Sequence, residues 1–75
     1  MKGFTIRKGK YLLLILTHPE LLHVKLAIPV KVLKARTKMV GVEIPSGHVS
    51  WVGREDLHQD EEAENMFVRW KVAEE

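Results

Sequence analysis

Residues 38–57 read KMVGVEIPSGHVSWVGREDL, and this stretch decides the fold class. Two β-rich runs, Met39-Val40-Gly41-Val42-Glu43-Ile44 and His48-Val49-Ser50-Trp51-Val52, flank Pro45-Ser46-Gly47. Valine, isoleucine and tryptophan suit a pleated, half-buried surface. The connection offers a proline with preset φ, followed by a glycine free to adopt positive φ. The spacing predicts a β-hairpin that ends on an acidic-polar corner, Arg54-Glu55-Asp56-Leu57.

Working outward, residues 11–17 (YLLLILT) form the next strand, and their continuous apolarity predicts burial on both faces. His18-Pro19-Glu20 breaks that strand, because proline cannot donate into a ladder. Residues 21–38 are β-rich and interrupted at Pro29, which predicts a bulge or an edge position there. Val30, Val32 and Leu33 are expected to point inward. Residues 1–10, polar with two glycines, are expected to form an arm or a short edge strand. At the other end, Met66, Val68, Trp70 and Val72 alternate with Phe67, Arg69 and Lys71, which predicts a closing strand over 65–72. Helix from residue 56 onward competes with it, since Glu, Ala, Met, Lys and Arg all tolerate helix. Residues 56–64 stay open between helix and loop. The expected fold is therefore all-β: a small single-domain antiparallel barrel of five or six strands, built from residues 11–17, 24–36, 39–44, 48–53 and 65–72.

A chain of 75 residues makes one domain and buries only about 60–65% of its extended surface, so its core is thin. Without cysteine, neither a disulfide nor a thiolate site can supplement that core, which suits a reducing, cytoplasmic setting. Self-association is the remaining common supplement, and a homo-oligomer is expected on that ground. Net charge is +2, but residues 1–38 carry nine Lys/Arg and one acid while residues 39–75 carry three Lys/Arg and nine acids. The two halves are expected to neutralise each other across the domain or across a dimer. The longest apolar run, residues 11–16, falls far short of the roughly 20 residues of a bilayer-spanning helix, so no membrane partner is expected. The basic residues before that run imitate the start of a signal peptide, but His18-Pro19-Glu20 stands where a small-residue cleavage site would be.

The chemistry-bearing residues do not assemble into a catalytic motif. His18, His23, His48 and His58 lack the i, i+2 or i, i+4 spacings that bring imidazoles to one metal. Ser46 and Ser50 lie in or beside a hairpin rather than on a strained strand-to-helix turn. Glu55 and Asp56 suit the capping of a turn, and Gly41, Gly47 and Gly53 do not make a phosphate cradle. No enzyme activity and no cofactor are expected.

A binding function has more support. Lys25, Lys31, Lys34, Arg36 and Lys38 can track a phosphate backbone, and the last three fall at period two on one face. Stacking rings are available at Tyr11, Trp51, Phe67 and Trp70. Trp51, in the central hairpin, is expected in the core; Trp70, near the end of the chain, is the candidate platform. Lys31, Lys34, Arg36, Lys38 and Trp70 are thus the candidate nucleic-acid contacts of a non-enzymatic binding or assembly module. A protein partner on the same basic strand face is the other expectation.

Two resemblances sharpen these expectations. Val40-Gly41-Val42-Glu43-Ile44, Ser46-Gly47, Val49-Ser50-Trp51-Val52 and Asp56-Leu57 resemble, in order, the C-terminal half of small SH3-like barrels. That resemblance covers about half the chain and implies a fold without an activity. The chain is also similar to the carbon-storage-regulator family of dimeric mRNA-binding translational regulators. The similarity lies in Leu14-Ile15-Leu16-Thr17, Gly41-Val42-Glu43-Ile44-Pro45 and Arg54-Glu55-Asp56-Leu57. It implies RNA binding and adds Arg54, at the position of that family's RNA-contacting arginine, to the candidate contacts. His18-Pro19 stands where the family carries a basic pair.

Overall fold

The alternating apolar runs become strands, and the acidic stretch near the end leads into a helix. The computed structural model describes residues 5–74. In chain order these form β1 (Tyr11–Thr17), β2 (Lys25–Ala35), β3 (Met39–Glu43), β4 (Val49–Gly53), a 3-10 helix (Arg54–Asp56), β5 (Leu57–His58) and α1 (Ala63–Glu74). The strands make one antiparallel sheet in the order β4-β3-β2-β1-β5. Residues 5–10 run into β1: Gly9 N–H donates to the Val32 carbonyl and Val32 N–H to the Lys10 carbonyl, each at 2.8 Å. Ile6 packs against the core. The expected arm or edge strand falls partly on residues 1–4, which lie outside the described residues.

Pro29 is tolerated inside β2 for a topological reason. It faces Leu13 of β1, while β3 pairs with β2 only from Lys31 onward. Among the described residues no strand on the far side needs the N–H that proline lacks. The irregularity in β2 comes later, where the register with β3 shifts between Val32 and Lys34. Leu33 is the residue passed over, and it is half-buried rather than pointing fully inward. At the β3–β4 turn, Gly47 adopts φ +99°, its N–H donating to the Ile44 carbonyl at 2.9 Å.

β4 and β5 are the outermost strands at opposite ends of the sheet, yet only Arg54–Asp56 joins them. Four strand spacings in a flat sheet would span about 19 Å. The short 3-10 connection rises only about 8 Å. The sheet therefore coils, and no pairing of β4 with β5 is found among the described residues. The face turned inward by the coil carries the core: Leu12, Leu14, Val30, Val32, Val40, Val42 and Leu57 are all buried to 4% exposure or less. Ile28, Ile44 and Val52 flank them. Among the described residues no side chain of this core is polar or charged.

Three expectations need correction. The closing strand over 65–72 is a helix, α1. Asp60 starts it, its carboxylate accepting from Glu62 N–H at 2.8 Å and its carbonyl from Ala63 N–H at 3.0 Å. Ala63 and Phe67, four apart, are the two residues α1 buries, and the alternating Val68, Trp70 and Val72 stay exposed. The fifth strand is instead Leu57–His58, so the fold is a five-stranded antiparallel sheet with a small C-terminal helix. Burial of the first strand on both faces holds for Leu12, Leu13 and Leu14 but ends there, since Leu16 is exposed. No helix among the described residues is long and apolar enough to cross a membrane.

Helix α1 rests on the outer face of the sheet. The Phe67 ring meets Tyr11 edge to face at 5.2 Å between centroids, and Lys71 Nζ stands 3.8 Å from the Glu43 carboxylate. Both partners of that ion pair belong to the acidic half of the chain. Lys34, Arg36 and Lys38, from the basic half, form no ion pair within the described residues, so contact between the halves does not neutralise them.

Candidate nucleic-acid interface

Antiparallel pairing places directly opposed residues on the same face of a sheet. Lys34 faces Gly41 across β2–β3, and Gly41 faces Trp51 across β3–β4, so the three form one row on the outer face. Gly41 lacks a side chain, and the Trp51 ring occupies the space: a Cβ added at Gly41 would meet Cη2, Cζ2 and Cζ3 of the ring at 3.5–3.6 Å. The ring is nevertheless 49% exposed. The Arg36 guanidinium stands 5.4 Å from its centroid, within cation–π range. Trp51 is thus half-exposed on the outer face, contrary to the core position expected for it. The missed signal is its period: Val52, Val40 and Val42 face inward, so its neighbour Trp51 must face out, and the opposing glycine makes room for the ring.

Arg54 holds this end of the sheet together. Its Nε–H donates to the Arg36 carbonyl at 3.0 Å and the Thr37 carbonyl at 2.9 Å, gripping the turn that carries Arg36, Thr37 and Lys38. Arg54 N–H also donates to the Lys38 carbonyl at 3.4 Å. The 3-10 helix sets the arginine there, because it begins as soon as β4 leaves its pairing with β3. Removing the side chain should free the turn. Arg54→Ala is expected to cost about 1 kcal/mol, the value of one or two exposed hydrogen bonds. It should also speed amide exchange at Arg36, whose N–H donates to the Met39 carbonyl at 2.9 Å. Exchange at Val42 should stay unchanged; equal rates at Arg36 in both proteins would contradict the positioning role.

Lys34 and Arg36 therefore border Trp51, and Arg54 grips the 36–38 turn beside them. Lys31 does not join them: it sits one row away, 5.9 Å from the Tyr11 ring, in a cavity of ≈ 220 Å³ with Glu43, Phe67 and Lys71. Trp70 is 40% exposed but lines a different cleft with Leu26, Ile28, Ile44 and Pro45, away from the basic residues. Among the described residues, no group of three His, Asp or Glu side chains is placed to hold a metal ion. His18 caps the β1–β2 connection, its Nδ1 accepting from Glu20 and Leu21 N–H at 3.1 and 3.0 Å. Comparison of the chain with protein-family models, curated proteins and solved structures finds no match.

Proposed function

We propose that this chain is a non-enzymatic nucleic-acid-binding module on an SH3-like barrel, engaging single strands across the outer face at Trp51. The observation that carries the reading is a half-exposed tryptophan bordered by Lys34 and Arg36, with Lys38 in the turn that follows Arg36; among the described residues none of the three has an acidic partner. An open ring offers a base a sequence-tolerant stack, and cations around it follow the phosphates. Coiling of the sheet through the short Arg54–Asp56 connection favours the barrel.

The test is titration with single-stranded RNA, single-stranded DNA and duplex at about 50 mM salt, where electrostatic binding is strong. Wild type should bind single strands, with an affinity that falls steeply as salt rises. The triple variant Lys34→Ala/Arg36→Ala/Lys38→Ala should bind more weakly and flatten the log–log salt slope by about 2, since each single-strand phosphate contact contributes about 0.7. No retention of any nucleic acid by wild type would instead favour a protein partner on this face.

A second reading, an RNA-binding regulator like the carbon-storage-regulator family, is favoured by Arg54. Its Nε is taken by the turn, but its terminal amino groups make no hydrogen bond or ion pair within the described residues, at the edge of the same cluster. A loosened turn would weaken RNA and DNA alike. A loss on Arg54→Ala confined to RNA with exposed loop bases would mark direct contact and select this reading.

A further inference from the structure

Thr37 sits in the turn that joins β2 to β3, with Arg36 before it, Lys38 after it and Lys34 three residues back. All four are exposed. The Thr37 hydroxyl makes no hydrogen bond among the described residues. Of the five Ser and Thr residues in the chain, Thr37 alone has a cation on each side; Thr5, Thr17, Ser46 and Ser50 have no Lys or Arg as a neighbour.

Arg54 completes the arrangement from a segment distant in sequence. Its Nε–H bridges the Arg36 and Thr37 carbonyls at 3.0 and 2.9 Å, which fixes the guanidinium beside Thr37. Its terminal amino groups stay without a hydrogen-bond or ion-pair partner among the described residues. Such a planar set of N–H groups matches two oxygens of one phosphoryl group, and the grip on the turn holds it in place beforehand.

We infer that Thr37 is a phosphorylation site, and that its phosphate pairs with Arg54 and withdraws the cations of residues 34–38 from nucleic acid. The loss of binding rests on the proposed function; the modification and its contact with Arg54 do not. The phosphoryl donor is ATP, and the agent is a protein kinase with an acidic substrate groove, which charge complementarity directs to a hydroxyl among Lys34, Arg36 and Lys38. Thr37 Oγ1 attacks the γ-phosphorus as the bond from that phosphorus to the β,γ-bridging oxygen breaks. ADP leaves, and the hydroxyl proton passes to the kinase's catalytic carboxylate. The product carries about −1.5 to −2 charge at pH 7. Lys34, Arg36 and Lys38 lie no more than about 10 Å of chain from it, within about one Debye length at 0.1 M salt.

The test incubates the full chain with ATP and the catalytic domain of a basic-directed serine/threonine kinase. Mass spectrometry should find one phosphate, on Thr37, and none on the Thr37→Val variant. In the phosphoprotein, amide exchange at Arg36 should slow severalfold, the opposite of the effect of Arg54→Ala, and phosphorylated Arg54→Ala should lose that slowing. Titration with single strands should show weaker binding and a log–log salt slope flatter by about 1.4, the loss of two phosphate contacts at about 0.7 each. No phosphate, or phosphate on Ser46 or Ser50 with Thr37 unmodified, overturns the site. Unchanged exchange at Arg36 overturns the contact with Arg54, and undiminished single-strand affinity overturns the withdrawal of the cations. Unmodified protein that binds no nucleic acid removes the proposed function instead, while the phosphate position and the Arg36 exchange still decide the site.

Discussion

Leu12→Ala is expected to remove about 3–5 kcal/mol of stability, enough to unfold much of the population near physiological temperature. Leu12 is fully buried at the centre of the inward face, opposite Val30 and in one cluster with Leu14, Val32, Val40, Val42 and Leu57. Truncation there loses the transfer energy of three carbons and leaves a cavity. The neighbours are held by strand pairing on both sides of β1, so the cavity collapses little. A chain of this length has only about 4–11 kcal/mol in total. Leu16→Ala supplies the control: it is the same chemistry on the same strand and face, but 41% exposed, and should cost about 1 kcal/mol or less in dilute protein. Urea unfolding at submicromolar concentration measures both. Equal midpoints for the two variants would show that the core is not centred where the sheet coils.

Trp51→Ala is expected to weaken single-strand binding by roughly 5- to 150-fold, the equivalent of the 1–3 kcal/mol that one base stack contributes. The salt slope should hardly change, because the variant removes a ring and no charge. That pattern is the converse of the Lys34/Arg36/Lys38 variant, so together the two divide the affinity into stacking and phosphate contributions. Trp51→Phe should retain most of the binding, and Trp70→Ala all of it, since Trp70 lies in a separate apolar cleft. The ring rests on Gly41 and is half in solvent, so the alanine protein should keep its circular dichroism spectrum. Affinity unchanged in Trp51→Ala would remove the platform from the proposed function, and loss on Trp70→Ala would move it to the helix.

The sequence by itself determined the local elements whose chemistry is self-sufficient. Pro45-Ser46-Gly47 between two β-rich runs specifies a hairpin, because only glycine takes the φ of +99° found at Gly47 without strain. The unbroken YLLLILT run specifies a strand, and Lys34, Arg36 and Lys38 were legible as an exposed basic series. Tertiary structure decided what depends on neighbours distant in sequence. Residues 66–72 alternate as a strand would, yet they are helical. Asp60 satisfies the first free N–H groups, and burying Ala63 and Phe67 on the sheet leaves no other strand to pair with them. Trp51 lies half-exposed on the outer face because the register sets Gly41 opposite it, and register is fixed across strands rather than along one. Arg54 meets the Arg36 and Thr37 carbonyls only because the 3-10 connection carries the chain from one sheet edge toward the other. A period along the chain says which side a residue faces; only the packing of the strands says what stands opposite.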